Sequence, residues 1–250
     1  MREVDSVIES PSVHGRLDLA ARLRLARQLR VDRYDQAIVL PNSAKSALVP
    51  WLARIAQRIG HRGEARLFLL NRIHEDRFDD AAGRKPMVEH YAQLAFEPGH
   101  SLPGRVPDPR LQRQPAREQA ARSKFGLSDD SPLLVLCPGA EYGPAKRWPT
   151  RHYASLADRL AVEWPGATIV VLGSPKERAL ATEIAALAGR PMRNLCGETS
   201  IDEAIAILSQ AAGVVSNDSG LMHVAAAFER PQVAVFGSSD PRHTPPRSAR

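Results

Sequence analysis

"LLVLCPGAEYGPAKRWPTRHYASLADRLAVEWPGATIVVLG", residues 133–173, holds two continuous apolar runs, "LLVLCPG" and "ATIVVLG". Between them lies "RHYASLADRLAVEW", whose apolar residues recur at helical spacing. A strand without a polar face needs cover on both sides, so strand–helix–strand here predicts a parallel βαβ unit. Downstream the alternation continues. "KERALATEIAALAG" reads as helix, "RNLCG" as a short strand, "IDEAIAILSQA" as helix, "GVVSN" as strand, "LMHVAAAF" as helix and "PQVAVFG" as strand. Ser174 with Glu177, and Ser200 with Glu203, have the spacing of capping boxes at two of these helix starts. The C-terminal half therefore predicts a Rossmann-like α/β domain with a parallel sheet.

Upstream the pattern is sparser. "RLDLAARLRLARQLR" reads as helix and "DQAIVL" as strand, followed by the loop "PNSAKS". "ALVPWLARIAQRIG" reads as helix and "ARLFLLN" as the next strand. Residues 76–88 are polar and irregular, and "MVEHYAQLAF" reads as helix. The Pro-, Gly- and Arg-rich stretch "EPGHSLPGRVPDPRLQRQP" reads as an interdomain linker. The expected division is a partial N-terminal Rossmann-like domain over 1–100, a linker over 101–118 and a second Rossmann-like domain over 119–250.

The chain has 250 residues, 43% of them hydrophobic and 25% charged, as in an ordinary globular protein. No run approaches the roughly 18 apolar residues of a membrane span. The opening "MREVDSVIES" lacks the apolar core of a signal peptide. The two cysteines, Cys137 and Cys196, are too far apart in sequence to suggest a metal-ligand motif, and a reduced cytoplasmic protein is expected. A net charge of +6 raises the question of nucleic acid. Yet the arginines are spread along helices and aromatics make up only 5%, so no nucleic-acid partner is expected. Solvated helix faces are the leading account of the charge, with attraction to an anionic ligand or surface as the alternative.

In an open parallel sheet, ligands bind beyond the carboxyl ends of the strands. After "LLVLCP" come Gly139, Gly143, Lys146 and Arg147, which combine close backbone approach with positive charge, as a phosphate site requires. No Gly-Lys-Ser/Thr of a Walker A loop and no G-x-G-x-x-G is present. After "ATIVVLG", Glu177 has two readings, a ribose ligand or the second half of its capping box. After "GVVSN", the amides of Ser219, Gly220 and Leu221 open a helix that suits a diphosphate, and His223 follows on the first turn.

Three stretches together, "YDQAIVLPNSAKSALVPWLARIAQRIGHRGEARLFLLN", "PGAEYGPAKRWP" and "SNDSGLMHVAAAF", resemble the ADP-heptose:lipopolysaccharide heptosyltransferases of glycosyltransferase family 9, in particular the heptosyltransferase II group. The resemblance implies a GT-B architecture, with an acceptor-side N-terminal domain and a nucleotide-sugar donor domain facing a cleft. It implies an inverting transfer of L-glycero-D-manno-heptose from ADP-heptose to a heptosyl-Kdo-lipid A type acceptor of the lipopolysaccharide inner core. ADP-heptose is then a substrate, and no cofactor or metal is expected. Lys146 looks like the diphosphate-contacting lysine that stabilises the leaving group. Gly139, Asp218, Ser219, Gly220 and His223 look like donor-binding residues, with Glu177 at the ribose and Thr199 near the adenine. Asn42, Ser43 and Lys45 look like an acceptor-side loop, although Asn42 or Ser43 would equally serve as a helix cap and Lys45 as a solvated first-turn residue. Asn71 and Arg72 are weaker candidates.

The family pattern opens with a strand and a Gly-Asp loop that supplies the general base. That loop is absent here, and the family's C-terminal sequence beyond "PQVAVFG" is largely absent too. The resemblance thus predicts a chain truncated at both ends, cytoplasmic, in peripheral contact with the inner membrane. Two other readings remain, a nucleotide-binding GT-B fragment without transfer and a nucleotide-sugar epimerase.

Overall fold

The computed structural model describes residues 4–10, 17–75, 86–102, 104–140 and 143–248. The chain divides into two compact units, Arg2–Val106 and Pro107–Arg250. Both are α/β with parallel sheets.

The first unit runs α1 (Leu19–Val31), β1 (Gln36–Val39), α2 (Ala44–Leu52), β2 (Gln57–His61), β3 (Arg72–His74) and α3 (Met87–Ala92). Its strands lie in the order β1-β2-β3, all parallel, with Ile38 opposite Ile59 and His61 opposite His74. Two sequence expectations fail here. The helix expected over "ALVPWLARIAQRIG" stops at Leu52, and its second half becomes β2. Ile55 and Ile59 are four apart, a spacing that fits a helix face and also two inward positions of a strand. The backbone decides: the Ile55 amide bonds back to the Pro50 carbonyl, Arg54 turns at φ 59°, and the chain leaves extended.

The strand expected over "ARLFLLN" is a turn, with the Leu69 and Leu70 amides both bonded to the Arg66 carbonyl. Leu70 is buried, while Phe68 is 93% exposed. The turn is set by Arg66, which is 1% exposed and whose guanidinium bonds to the Pro41 and His61 carbonyls and to Asn42 Oδ1 (2.9 Å). Residues 76–85, most of the irregular segment noted in the sequence, lie outside the described residues.

The second unit runs α4 (Pro115–Phe125), β4 (Leu133–Cys137), α5 (Thr150–Glu163), β5 (Thr168–Val171), α6 (Arg178–Leu187), β6 (Arg193–Asn194), α7 (Ile201–Leu208), β7 (Gly213–Asn217), α8 (Gly220–Ala227) and β8 (Gln232–Val235). The stretch expected as a linker over 101–118 is therefore not all linker. Pro115, fit for a first helical turn that needs no N–H, starts α4. The Leu111 amide already bonds to the Ala227 carbonyl of this unit.

The sheet order is β6-β5-β4-β7-β8. The chain walks outward from β4 to β6, then returns to the other side of β4 with β7. Every residue of β4 is buried, with Val135 and Leu136 at 0% exposure, as a strand covered on both faces requires. Leu133, Val135 and Cys137 pack with Phe125, Ile207 and Ala225 on one face. Leu134 and Leu136 pack with Tyr153, Ala157 and Ile184 on the other. Each such side chain contributes roughly 1.5–3 kcal/mol by leaving water.

Candidate functional site

Strand order reverses between β4 and β7, and at such a point the flanking loops part and leave a crevice at the carboxyl ends. A cavity of about 730 Å³ lies there. Its lining brings together Gly139, Lys146, Glu177, Thr199, Asp218, Ser219, Gly220 and His223, drawn from the loops after β4, β5, β6 and β7. Leu172, Ile201, Leu221 and Val224 add an apolar wall. The size and the mixture are those of a small-molecule site.

Lys146 and Asp218 form the charged core. Lys146 Nζ donates to Asp218 Oδ2 at 2.7 Å, with side chains 22% and 8% exposed. Burial pushes the Asp218 carboxyl up, but the hydrogen bond and charge of Lys146, with the nearby Ser239 hydroxyl, outweigh it, leaving the group below the usual carboxylate range. It is an anion at neutral pH and fixes the lysine ammonium on the cavity wall. His223 is lowered by desolvation, opposed by the Asp218 charge, so its imidazole is neutral at pH 7. Thr244 lines the same wall, its hydroxyl 3.5 Å from Asp218 Oδ1.

A buried strut sets these positions. Asn217, fully buried, donates from Nδ2 to the Pro138 carbonyl at 2.6 Å. Its Oδ1 accepts from the Trp148 amide and the Tyr153 hydroxyl, each at 3.1 Å. One carboxamide thus ties the end of β7 to the loop after β4 and to the chain just past Lys146. On the far side, a Cβ on Gly237 would stand 2.4 Å from the Ala145 carbonyl oxygen, so only glycine lets that loop close on the Lys146 turn.

Glu177 reaches the cavity from a 3₁₀ turn, Pro175–Glu177, that opens α6. The capping box expected from the sequence is present, with the Ser174 amide donating to Glu177 Oε2 at 2.6 Å. Capping and cavity lining coexist in one side chain. Its carboxyl lies against Gly139, where a Cβ would stand 1.8 Å from Oε1, and against Gly173. Across the cavity, Ser219 occupies the N-cap of α8 in an extended conformation with no side-chain cap bond. Its hydroxyl is shared instead with Ser216 Oγ at 3.1 Å. A Cβ on Gly220 would meet nothing within 4 Å. The second capping box also forms, the Glu203 amide bonding Ser200 Oγ at 3.2 Å at the start of α7.

Both cysteines are buried and unbridged. Burial and nearby Glu177 push the Cys196 thiol up to about 12, and burial raises Cys137 further, so neither is a thiolate nucleophile. Among the described residues no group of His, Cys, Asp or Glu has the arrangement to hold a metal ion. Glu141 and Tyr142 of the "GAEYG" loop lie outside the described residues.

Asn42, Ser43 and Lys45 lie in the first unit, at the start of α2. Neither Asn42 nor Ser43 caps the helix through its side chain. Glu64 does, its Oε2 accepting from the Ala44 amide at 3.0 Å. Asn42 Oδ1 is committed to Arg66, and a Cβ on Gly63 would collide with the Asn42 carbonyl. The two loops "PNSAKS" and "HRGEAR" thus form one interlocked structure. Asn71 is structural, pairing with the Arg58 amide (2.8 Å) and the Ala56 carbonyl (2.7 Å), and Arg72 forms a surface ion pair with Glu97.

Sequence reasoning passed over Asn217, Gly173, Gly237, Ser239 and Thr244. A polar residue closing an apolar strand was the available signal for Asn217. For Thr244 there was none, because its place depends on how the segment after β8 folds back.

The family model for glycosyltransferase family 9 (heptosyltransferase) matches residues 22–250. Lipopolysaccharide heptosyltransferase 2 of Salmonella typhimurium is 45% identical over 99% of this chain and 72% of its own length. The structure of E. coli ADP-heptose lps heptosyltransferase II superposes with a TM-score of 0.85 at 44% identity, covering 93% of this chain and 71% of that one. E. coli heptosyltransferase WaaC with ADP gives a TM-score of 0.61 at 26% identity, covering 89% of this chain and 67% of that one. The fold is that of the GT-B heptosyltransferases, and the chain belongs to glycosyltransferase family 9.

Proposed function

We propose that this chain is a heptosyltransferase of the second type, moving L-glycero-D-manno-heptose from ADP-heptose to the heptose of a lipid-linked inner-core acceptor. The observation that carries the reading is the convergence of Lys146, Asp218, Glu177 and the α8 N-terminus on one cavity at the switch point of the sheet. The relatives that bear this activity in their names, and the WaaC structure with ADP, support the choice of donor.

In this reading the apolar wall receives the adenine, with Thr199 at its edge, and Glu177 bonds the ribose hydroxyls. The diphosphate lies against Lys146 and the amides of Gly220 and Leu221. The acceptor hydroxyl oxygen attacks the anomeric carbon from the face opposite ADP. That bond forms as the bond to the diphosphate oxygen breaks, and the configuration inverts. Negative charge grows on the departing phosphate, where a fixed ammonium and a helix N-terminus stabilise it most. Asp218 holds the lysine in place and His223 faces the sugar side as a neutral imidazole. The acceptor hydroxyl gives its proton to water as the new bond forms, since Asp218 is held by Lys146 and Glu177 by the ribose, and ADP departs with the electrons of the broken bond. On the acceptor side, Ser43 and Lys45 meet the anionic sugars, and Asn42 shapes their loop through Arg66. The reading needs no cofactor and no nucleic acid. It places the chain in the cytoplasm, against the inner face of the membrane that carries the acceptor. No helix among the described residues is long and apolar enough to cross a membrane.

Lys146→Ala should lower turnover by roughly 100-fold or more, with Lys146→Arg recovering part of it, in an assay of ADP release from ADP-heptose with heptose-deficient lipopolysaccharide. Near-normal turnover with unchanged ADP affinity would remove Lys146 from the site.

A further inference from the structure

The first unit carries a second concavity, of about 580 Å³. Leu23, Ala26, Arg27 and Arg30 line one side, four positions spaced i, i+3, i+4 and i+7 along α1. Trp51 and Leu52 from the end of α2, then Arg54 and Arg58, line the other. Four guanidinium groups therefore surround a floor of leucine, alanine and indole.

None of them is paired with a carboxylate among the described residues. Neither α1 nor α2 contains an acidic residue. Arg27, Arg30 and Arg54 form no hydrogen bond or ion pair through their side chains among the described residues. Arg58 is pinned by backbone carbonyls, donating from Nε to Leu69 and from Nη1 to Ile55 at 2.8 and 2.6 Å, with no carboxylate partner. The C-terminal ends of α1 and α2 place partial negative charges nearby, about half a unit each, well short of four positive ones. Trp51 is 45% exposed and Leu23 40% exposed beside these charges. A merely solvated helix face would spread its charges with compensating acids and would not frame an indole.

We propose that this groove docks the chain on a phospholipid bilayer, its arginines taking the headgroup phosphates and Trp51 and Leu23 entering the interface. Guanidinium groups bind phosphate oxygens in bidentate fashion, and tryptophan favours the boundary between headgroups and acyl chains. The choice of a bilayer over another anion rests on the lipid-linked acceptor of the proposed function. Docking by this face would hold the enzyme where that acceptor lies.

The test is vesicle sedimentation with the whole chain, comparing pure phosphatidylcholine vesicles with vesicles containing phosphatidylglycerol. Binding should need the anionic lipid and fall as salt rises. Each arginine near an anionic surface contributes roughly fivefold to partitioning, so Arg27→Gln/Arg30→Gln/Arg54→Gln should weaken binding by about 100-fold. All three side chains are exposed, which spares the fold. Trp51→Ala should weaken binding while leaving its salt dependence. Equal binding of the triple variant, or equal binding to neutral vesicles, overturns the proposal. So does release of the chain by millimolar inorganic phosphate, which would mark a small-anion site. ADP titration of the same variants separates the two readings: unchanged ADP affinity with lost vesicle binding leaves the donor site intact. Absent ADP binding in the parent would count against the function itself.

Discussion

Replacing Gly139 by alanine adds one methyl group where Glu177 places its carboxyl. The new Cβ would stand 1.8 Å from Oε1 and 2.2 Å from Cδ, where ordinary contact begins near 3.4 Å. The carboxyl must swing away by more than an ångström, which breaks its 2.6 Å bond to the Ser174 amide. Losing that cap costs about 1 kcal/mol. Gly139 is not in the left-handed region, so alanine returns roughly 0.4–1 kcal/mol by stiffening the unfolded chain. Stability should therefore change little. Affinity should not. If the carboxylate bonds the ribose, its removal costs about 1.5–3 kcal/mol, or roughly 10- to 150-fold in the Kd for ADP. Calorimetric titration with ADP, beside thermal unfolding, reads both quantities. Glu177→Ala should give the same loss, and the double variant should be no worse than either single one, because both act through one group. A folded Gly139→Ala chain binding ADP within twofold of the parent would refute the assignment of Glu177 to the nucleotide.

Gly220→Val should leave the unfolding midpoint nearly unchanged, since its side chain would enter open space, yet weaken ADP binding at least tenfold by blocking the α8 amides. Equal ADP affinity would reduce the stretch around Asp218 to an ordinary helix start. Asn217→Ala leaves the Pro138 carbonyl and the Trp148 amide without their partner and should cost about 2–4 kcal/mol, against about 1 kcal/mol for Tyr153→Phe, in urea unfolding. Similar losses from the two variants would mean that the carboxamide is not the strut. Burial, then the neighbouring His61, lowers the pKa of His74 in the first unit from its ordinary 6.5. The folded chain then binds fewer protons than the unfolded one, so this contribution is complete above about pH 6.5 and is lost as pH falls toward the lowered value. His74→Gln should flatten the fall in urea midpoint between pH 7.5 and 5.5, and an unaltered slope would acquit His74.

From Leu133 onward the second unit could be read from its sequence because the local signals there agreed with the tertiary outcome. Apolar runs such as "LLVLC" have no polar face to present, and both capping boxes sit at helix starts. In the first unit the signals conflicted. "LARIAQRIG" fits helical and strand periods alike, and "ARLFLLN" is apolar enough for a strand although Phe68 faces solvent. Nothing local announces that Arg66 will be buried among the carbonyls of Pro41 and His61 and there bend the chain into a turn.

The sequence by itself determined the α/β class, the parallel sheet of the second unit and the family, because apolar periodicity, caps and motifs are short-range properties of the chain. It also marked eight of the residues that line the larger cavity. Only the tertiary structure decided how they meet. Lys146 and Asp218 are 72 positions apart, and they touch because β7 returns to lie beside β4. Glu177 can lie over Gly139 because β5 is the other neighbour of β4. Strand order is settled by long-range packing, which no local period encodes, and that order turns separated motifs into one site.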